Sequence, residues 1–258
     1  MSWKTEDIDF DRVVVTEIKD DRNMLLILAG SSFLEITAPL YTSNLLEFNR
    51  GGGEIIEWLK NVWMPEELEH GRAMKTYVEK VWPAFDWEHA YRSFLMEFAP
   101  RCRFERYQES RALEMLARCV TETGAATFYK SLRDATNEPV LKDLLDRMQR
   151  DEIRHYKYFL RFFRYYNSEE QNSRAKLLKG LLMRATRVYD EDMFIACKYA
   201  RNDKIDGSYR ESVRSIRAMT RRHYPVEQAV KMLAQPFDLS PTMRKFPVFV
   251  LRSLSAVL

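Results

Sequence analysis

Few residues in this chain stop a helix: its 258 residues include only 8 glycines and 9 prolines, and three of the glycines stand together at 51–53. Between these breakers run long segments of Leu, Met, Glu, Lys, Arg and Ala with apolar positions at helical spacing, which favours helices over strands. The expected fold class is all-α. A first helical segment spans about 21–48 and ends at "NRGGGE", where Asn49 and the glycines let the chain turn. A second runs from near Glu54 to about Val81, ahead of Trp82 and Pro83. The third extends from "DWEHAY" to "SLRDA" with an interruption near Pro100, and "TNEPV", with Asn137 and Pro139, reads as a turn and a helix start. The fourth, "LKDLLDRMQRDEIRHYKYFLRFFRYY", is strongly periodic, and "NSEEQNS" then sets off a C-terminal region of about 90 residues with two or three further helices. No low-complexity linker intervenes, so the expected organisation is one domain over 1–258, with its core at about 20–165 and a helical extension at about 168–258.

Charge excludes some classes of function. With 41 basic against 38 acidic residues the net charge is +3, so the whole molecule carries no strong signature of nucleic-acid or membrane binding. Three cysteines, Cys102, Cys119 and Cys197, show no CxxC spacing and suggest neither a disulfide framework nor a zinc ribbon. The start "MSWKTEDIDFDR" is acidic and lacks the pattern of a signal peptide, and no run approaches the roughly 18 apolar residues of a membrane span. A soluble, cytoplasmic protein is expected.

Chemistry enters with a pattern that occurs twice. "EELEH" places Glu67 and His70 as Glu-x-x-His, and "DEIRH" places Glu152 and His155 in the same way, in a chain with only 4 histidines. Residues three apart on a helix differ by about 60° around its axis, so each pair aims a carboxylate and an imidazole in one direction. In four-helix metal sites of this kind each of the other two helices contributes a further glutamate. If the first hairpin turns at Gly52, Glu67 lies 15 residues beyond the turn and Glu35 lies 17 before it. If the second turns at Asn137, Glu152 lies 15 beyond and Glu122 lies 15 before. All four carboxylates then sit roughly 22–26 Å from their turns, in one layer. Glu47, Glu109 and Glu114 miss that depth, and Glu35 and Glu122 stand among apolar or small neighbours, where a carboxylate is satisfied by a cation.

Four carboxylates and two imidazoles suit iron or manganese better than a thiolate-seeking metal, and two divalent ions would leave the site neutral. Asp151 and Glu66, each just before a motif glutamate, are candidates to orient a ligand histidine. Glu69 reads as an ordinary solvated acid.

Taken together these stretches resemble the ferritin-like di-iron carboxylate proteins, and among them most closely the soluble acyl-carrier-protein desaturases. "WMPEELEHG" is similar to that family's Trp-x-x-Glu-Glu-x-x-His-Gly signature, "RDEIRHYKY" to its Asp-Glu-x-Arg-His segment, and "EITAPLY" to its metal glutamate followed by proline and tyrosine. The resemblance covers about residues 20–165. It implies a ferritin-like four-helix bundle, a centre of two iron ions or a manganese–iron pair held by Glu35, Glu67, His70, Glu122, Glu152 and His155, and activation of dioxygen to oxidise a small apolar or acyl substrate. An electron donor of unspecified kind and a homodimeric assembly go with that reading. Two positions depart from related patterns: Ala125 stands where the desaturases carry threonine, and Met148 where the di-iron arylamine N-oxygenases carry histidine. Pro39, which cannot donate to the carbonyl of residue 35, should distort the helix where Glu35 must reach a metal.

Further features are placed around this centre. Phe128, Met115, Phe159 and Phe163 fall at helical spacings that fit either a substrate channel or plain core. Arg210, Arg214, Arg217 and Arg221 form a basic stripe, with Tyr209 and Tyr224 nearby, that would dock an acidic carrier protein or serve as a solvated face or an oligomer contact. His89 and His223 belong to no motif and read as structural or surface residues, and the apolar tail "FPVFVLRSLSAVL" reads as packing on the bundle or on a second subunit. The leading functional expectation is a di-iron, dioxygen-activating oxidoreductase. The alternatives are a ferroxidase or peroxide-detoxifying protein without an organic substrate, and a non-enzymatic scaffold.

Overall fold

Helix boundaries in this chain are set by identifiable side chains. Asp21 accepts the Met24 N–H at 2.9 Å and starts one helix, and Asp86 accepts the His89 N–H at 3.0 Å and starts another. In the computed structural model, which describes residues 3–102, 107–188, 192–201 and 209–238, the fold is all-α, with no strand among the described residues. The α-helices are α1 (Val15–Ile18), α2 (Arg22–Ile36), α3 (Ala38–Phe48), α4 (Glu54–Trp58), α5 (Met64–Val81), α6 (Trp87–Phe98), α7 (Arg111–Ala135), α8 (Pro139–Glu170), α9 (Arg174–Val188), α10 (Asp192–Ala200), α11 (Tyr209–Arg222) and α12 (Val226–Ala234). They group into two compact units built from alternating segments, one of 1–107, 136–144 and 189–216, the other of 108–135, 145–188 and 217–258.

In the first unit α2 is the central helix, packed against α5 and α10, and it is buried along nearly its whole length from Met24 to Phe33. The helical path bends by 42° between α2 and α3. Pro39, in the first turn of α3, has no N–H for the carbonyl four residues back, and Thr37 closes α2 by donating its hydroxyl to the Phe33 carbonyl at 2.7 Å. The expected distortion is therefore present one turn from Glu35. Beyond α3, Gly51 and Gly53 take φ values of +81° and +54°, a backbone region costly for other residues, and reverse the chain.

From Glu54 to Val81 the chain is helical throughout, but Leu59–Trp63 is wound as a π-helix. Pro65 supplies no N–H to the Asn61 carbonyl, and Met64 donates instead to Leu59, five residues back. A ring cluster of Phe33, Trp87, Tyr91 and Phe94 seals α2 against α6, with the Trp87 indole donating to Ser32 Oγ at 2.8 Å. Glu138, only 1% exposed, precedes α8 and gathers four donors: the Leu141 N–H (2.7 Å) and Tyr77 hydroxyl (2.8 Å) on one oxygen, and the Val14 N–H (3.2 Å) and Val140 N–H (3.3 Å) on the other. Burial together with that carboxylate pushes the Tyr77 phenol upward from its ordinary value.

In the second unit α9 and α12 both pack on α7. Polar groups inside it are matched. Glu114 takes both the Arg118 guanidinium (2.6 Å) and the Gln108 N–H (2.9 Å), and Tyr156 donates to the Met232 carbonyl at 2.5 Å. Helix α8 continues four residues past the expected end at Tyr166, because Glu170 accepts the Ala112 N–H at 3.0 Å and the Ser110 hydroxyl at 2.5 Å; Gln171, with φ of +52°, then ends it. Downstream of α8 the described residues hold four α-helices where two or three are expected. Two of them, α10 and α12, have 9 residues each, too short for a clear periodicity.

Among the described residues no single helix is long and apolar enough to cross a membrane; α2 and α3 together meet the requirement by length and composition, but the pair is bent by 42° and α2 is a buried core helix.

Candidate metal centre

Each unit holds one glutamate from one helix and a Glu-x-x-His pair from another. In the first unit Glu35 lies in the last turn of α2, and Glu67 and His70 lie in the first two turns of α5. Their offered ligand atoms fall within 4.8 Å of one another, with Glu35 8%, Glu67 5% and His70 0% exposed. The local sequence makes this approach feasible. A Cβ on Gly71 would stand 2.5 Å from Ile36 Cγ1, 2.8 Å from the Ile36 backbone nitrogen and 3.1 Å from Glu35 Cβ. Only glycine lets α5 come this close to α2, at the turn that carries Glu35.

Glu122 on α7 and Glu152 and His155 on α8 repeat the arrangement in the second unit, again within 4.8 Å of one another and all buried. His155 Nδ1 lies 3.8 Å from a Glu122 oxygen and 3.5 Å from a Glu152 oxygen. Burial, reinforced by the neighbouring Glu152 carboxylate against the opposing pull of His155, pushes the Glu122 carboxyl up to about 8. Two carboxylates held this close repel each other when both are ionised, and a divalent ion between them turns that repulsion into attraction. Each triple thus carries two potential negative charges for one divalent cation, with an imidazole to complete a mixed oxygen–nitrogen set. These are buried donor groups able to hold a metal ion.

The neighbours predicted to orient the ligands are also buried, Glu66 at 7% and Asp151 at 3% exposure, and Asp151 accepts from Arg154 at 2.8 Å. Thr123 and Thr127, which flank the Ala125 position, donate their hydroxyls to backbone carbonyls four residues back, Cys119 and Thr123, each at 2.7 Å. Thr123 is thus bonded within its own helix, whereas the Thr127 hydroxyl also lies 3.4 Å from the Tyr224 hydroxyl. Met115, Phe159 and Phe163 are buried core residues, Phe128 is partly exposed, and Met148 is fully buried. His89 is exposed and His223 partly so.

Three features differ from the sequence reading or extend it. Glu69 is not simply solvated: it accepts the Thr5 N–H at 3.1 Å and the Thr5 hydroxyl at 2.9 Å, and pairs with Arg72 at 2.7 Å. Burial alone would raise its carboxyl, but Thr5 and Arg72 outweigh burial and hold it below its ordinary value. Trp3 stacks on the His70 imidazole, with ring centroids 5.8 Å apart and planes 14° from parallel. No spacing rule connects Thr5 with a residue 64 positions away, and neither contact has a sequence signal. Along α11, Arg214, Arg217 and Arg221 are exposed on successive turns; the side chains of Tyr209 and Arg210 and the tail after Asp238 lie outside the described residues.

No known protein-family profile matches this chain, and no curated protein sequence matches it.

Proposed function

We propose that the two triples act together as one di-iron centre in a ferritin-like bundle, and that the protein is a dioxygen-activating oxidoreductase for a small apolar or acyl-type substrate. The observation that carries this reading is the duplication itself: the same two carboxylates and one imidazole, on two helices, buried twice in one chain. When bound, the iron pair would supply reductive activation of dioxygen.

What the chain contributes follows from its own residues. Glu35, Glu67, Glu122 and Glu152 balance the charge of two divalent ions, so a loaded site can stay buried without a large electrostatic cost. His70 and His155 would each offer an ion a nitrogen donor. Glu122, whose proton is held up to about 8, must release that proton for its oxygens to serve as ligands. Met115, Phe159 and Phe163 are buried, and an apolar core of this kind would help to keep water from reacting groups. The basic face of α11 is assigned to an acidic carrier protein that presents the substrate.

The test is anaerobic loading with ferrous iron, an oxygen pulse, and mass spectrometry of copurified lipid and of added acyl substrate. An oxidised organic product supports the oxidoreductase. Rapid iron oxidation with every organic component unchanged would support the ferroxidase alternative instead.

A further inference from the structure

The N-terminal segment is fixed to α5 at three points, and one of them is a proposed metal ligand. Thr5 binds Glu69 through its N–H and hydroxyl, Lys80 pairs with Asp11 at 2.7 Å, and between these anchors and the chain start Trp3 stacks on His70 in an offset, near-parallel arrangement with ring centroids 5.8 Å apart. His70 is 0% exposed, whereas Trp3 is partly exposed, so one face of the imidazole is covered from solvent by the indole. On the same helix turn His70 shares its backbone path with Glu69, the acid that holds the segment down.

We infer that Trp3 is a positioning residue for His70: the indole fixes the imidazole plane and shields it, and the Thr5–Glu69 contact is the latch that keeps Trp3 there. This rests on the reading of His70 as a metal ligand. An imidazole three positions after its partner glutamate keeps rotational freedom about its side-chain bonds, and groups that restrict a ligand ring raise metal affinity without touching the metal. Flat stacking restricts the ring plane while leaving the nitrogens at its edge available to a ligand. The covering segment makes the first triple sensitive to anything that displaces residues 3–7.

Two readouts test the proposal, one without metal. In metal-free protein, diethylpyrocarbonate labelling of the 4 histidines is followed by peptide mass spectrometry. Trp3→Ala should raise His70 labelling toward that of exposed His89 and leave His155 protected, Trp3→Phe should restore protection, and Glu69→Ala should act like Trp3→Ala with the indole intact. Equal protection of His70 in wild type and Trp3→Ala would overturn the cover, as would His70 and His155 becoming labelled together. In cobalt(II) titrations, Trp3→Ala should weaken one of two equivalents on the order of tenfold and leave the other unchanged, with Trp3→Phe near wild type. Wild type and Trp3→Ala binding both equivalents alike would overturn the role of Trp3 alone. A wild-type protein that takes up no cobalt would overturn the dinuclear reading itself, and with it the positioning role, even where labelling still follows Trp3.

Discussion

Glu122 shows how a single side chain couples the candidate site to stability. Its carboxyl is raised from an ordinary value of 4.5 to about 8, so between those values the folded metal-free protein holds a proton that the unfolded chain has lost. Folding is then favoured at the acid end of that window and weakened as pH rises through it, with a slope of up to about 1.4 kcal/mol per pH unit from this group. Thermal melts in chelator should show the midpoint falling from pH 5 toward pH 8, and Glu122→Gln should flatten the profile. Bound metal should do the same by replacing the proton. Both Glu-x-x-His pairs were legible at this scale because the helix fixes their geometry locally, and Glu35 and Glu122 because an antiparallel hairpin fixes depth. Trp3, Thr5 and the burial of the Glu114–Arg118 pair were not: the first two depend on contacts across more than sixty positions, and the third looks like any surface i,i+4 pair.

At the scale of the element, the approach of α2 to α5 is controlled by Gly71. A methyl group there meets the Ile36 backbone nitrogen at 2.8 Å, and backbone cannot rotate away as a side chain can. Gly71→Ala should therefore separate the helices beside Glu35, costing about 1–3 kcal/mol in urea unfolding and weakening metal uptake by the first triple more than by the second. The start of α8 depends on Glu138, whose replacement by alanine leaves the Tyr77 hydroxyl and three backbone N–H groups short of an acceptor. Glu138→Ala should destabilise the protein by at least about 2 kcal/mol, measured in the same way, with Tyr77→Phe milder because it removes the donor as well. The break after α2 could be read from Pro39, whose missing N–H acts within one turn. The π-helical turn at Leu59–Trp63 follows from Pro65 by the same logic, but which carbonyl the displaced N–H finds is decided by packing, so the sequence pattern showed only one continuous helix.

For the whole molecule, helix content was legible because glycine and proline are scarce and the long segments are periodic, whereas the short α10 and α12 were hidden because 9 residues span barely more than two turns. The basic stripe belongs to this scale as well. Arg214, Arg217 and Arg221 changed together to glutamate should abolish salt-sensitive binding to an acidic carrier protein while leaving metal content untouched, as followed by calorimetry at two ionic strengths. The central claim, that two duplicated triples form one dinuclear centre, is tested most directly by an anaerobic ferrous iron titration of the metal-free protein followed by Mössbauer spectroscopy after exposure to oxygen. Two irons per chain, reduced to one or fewer in Glu122→Ala, and a diamagnetic exchange-coupled ferric pair in the wild type are the predicted results. Less than one iron per chain with Glu122→Ala unchanged, or two magnetically independent ferric ions, would contradict it.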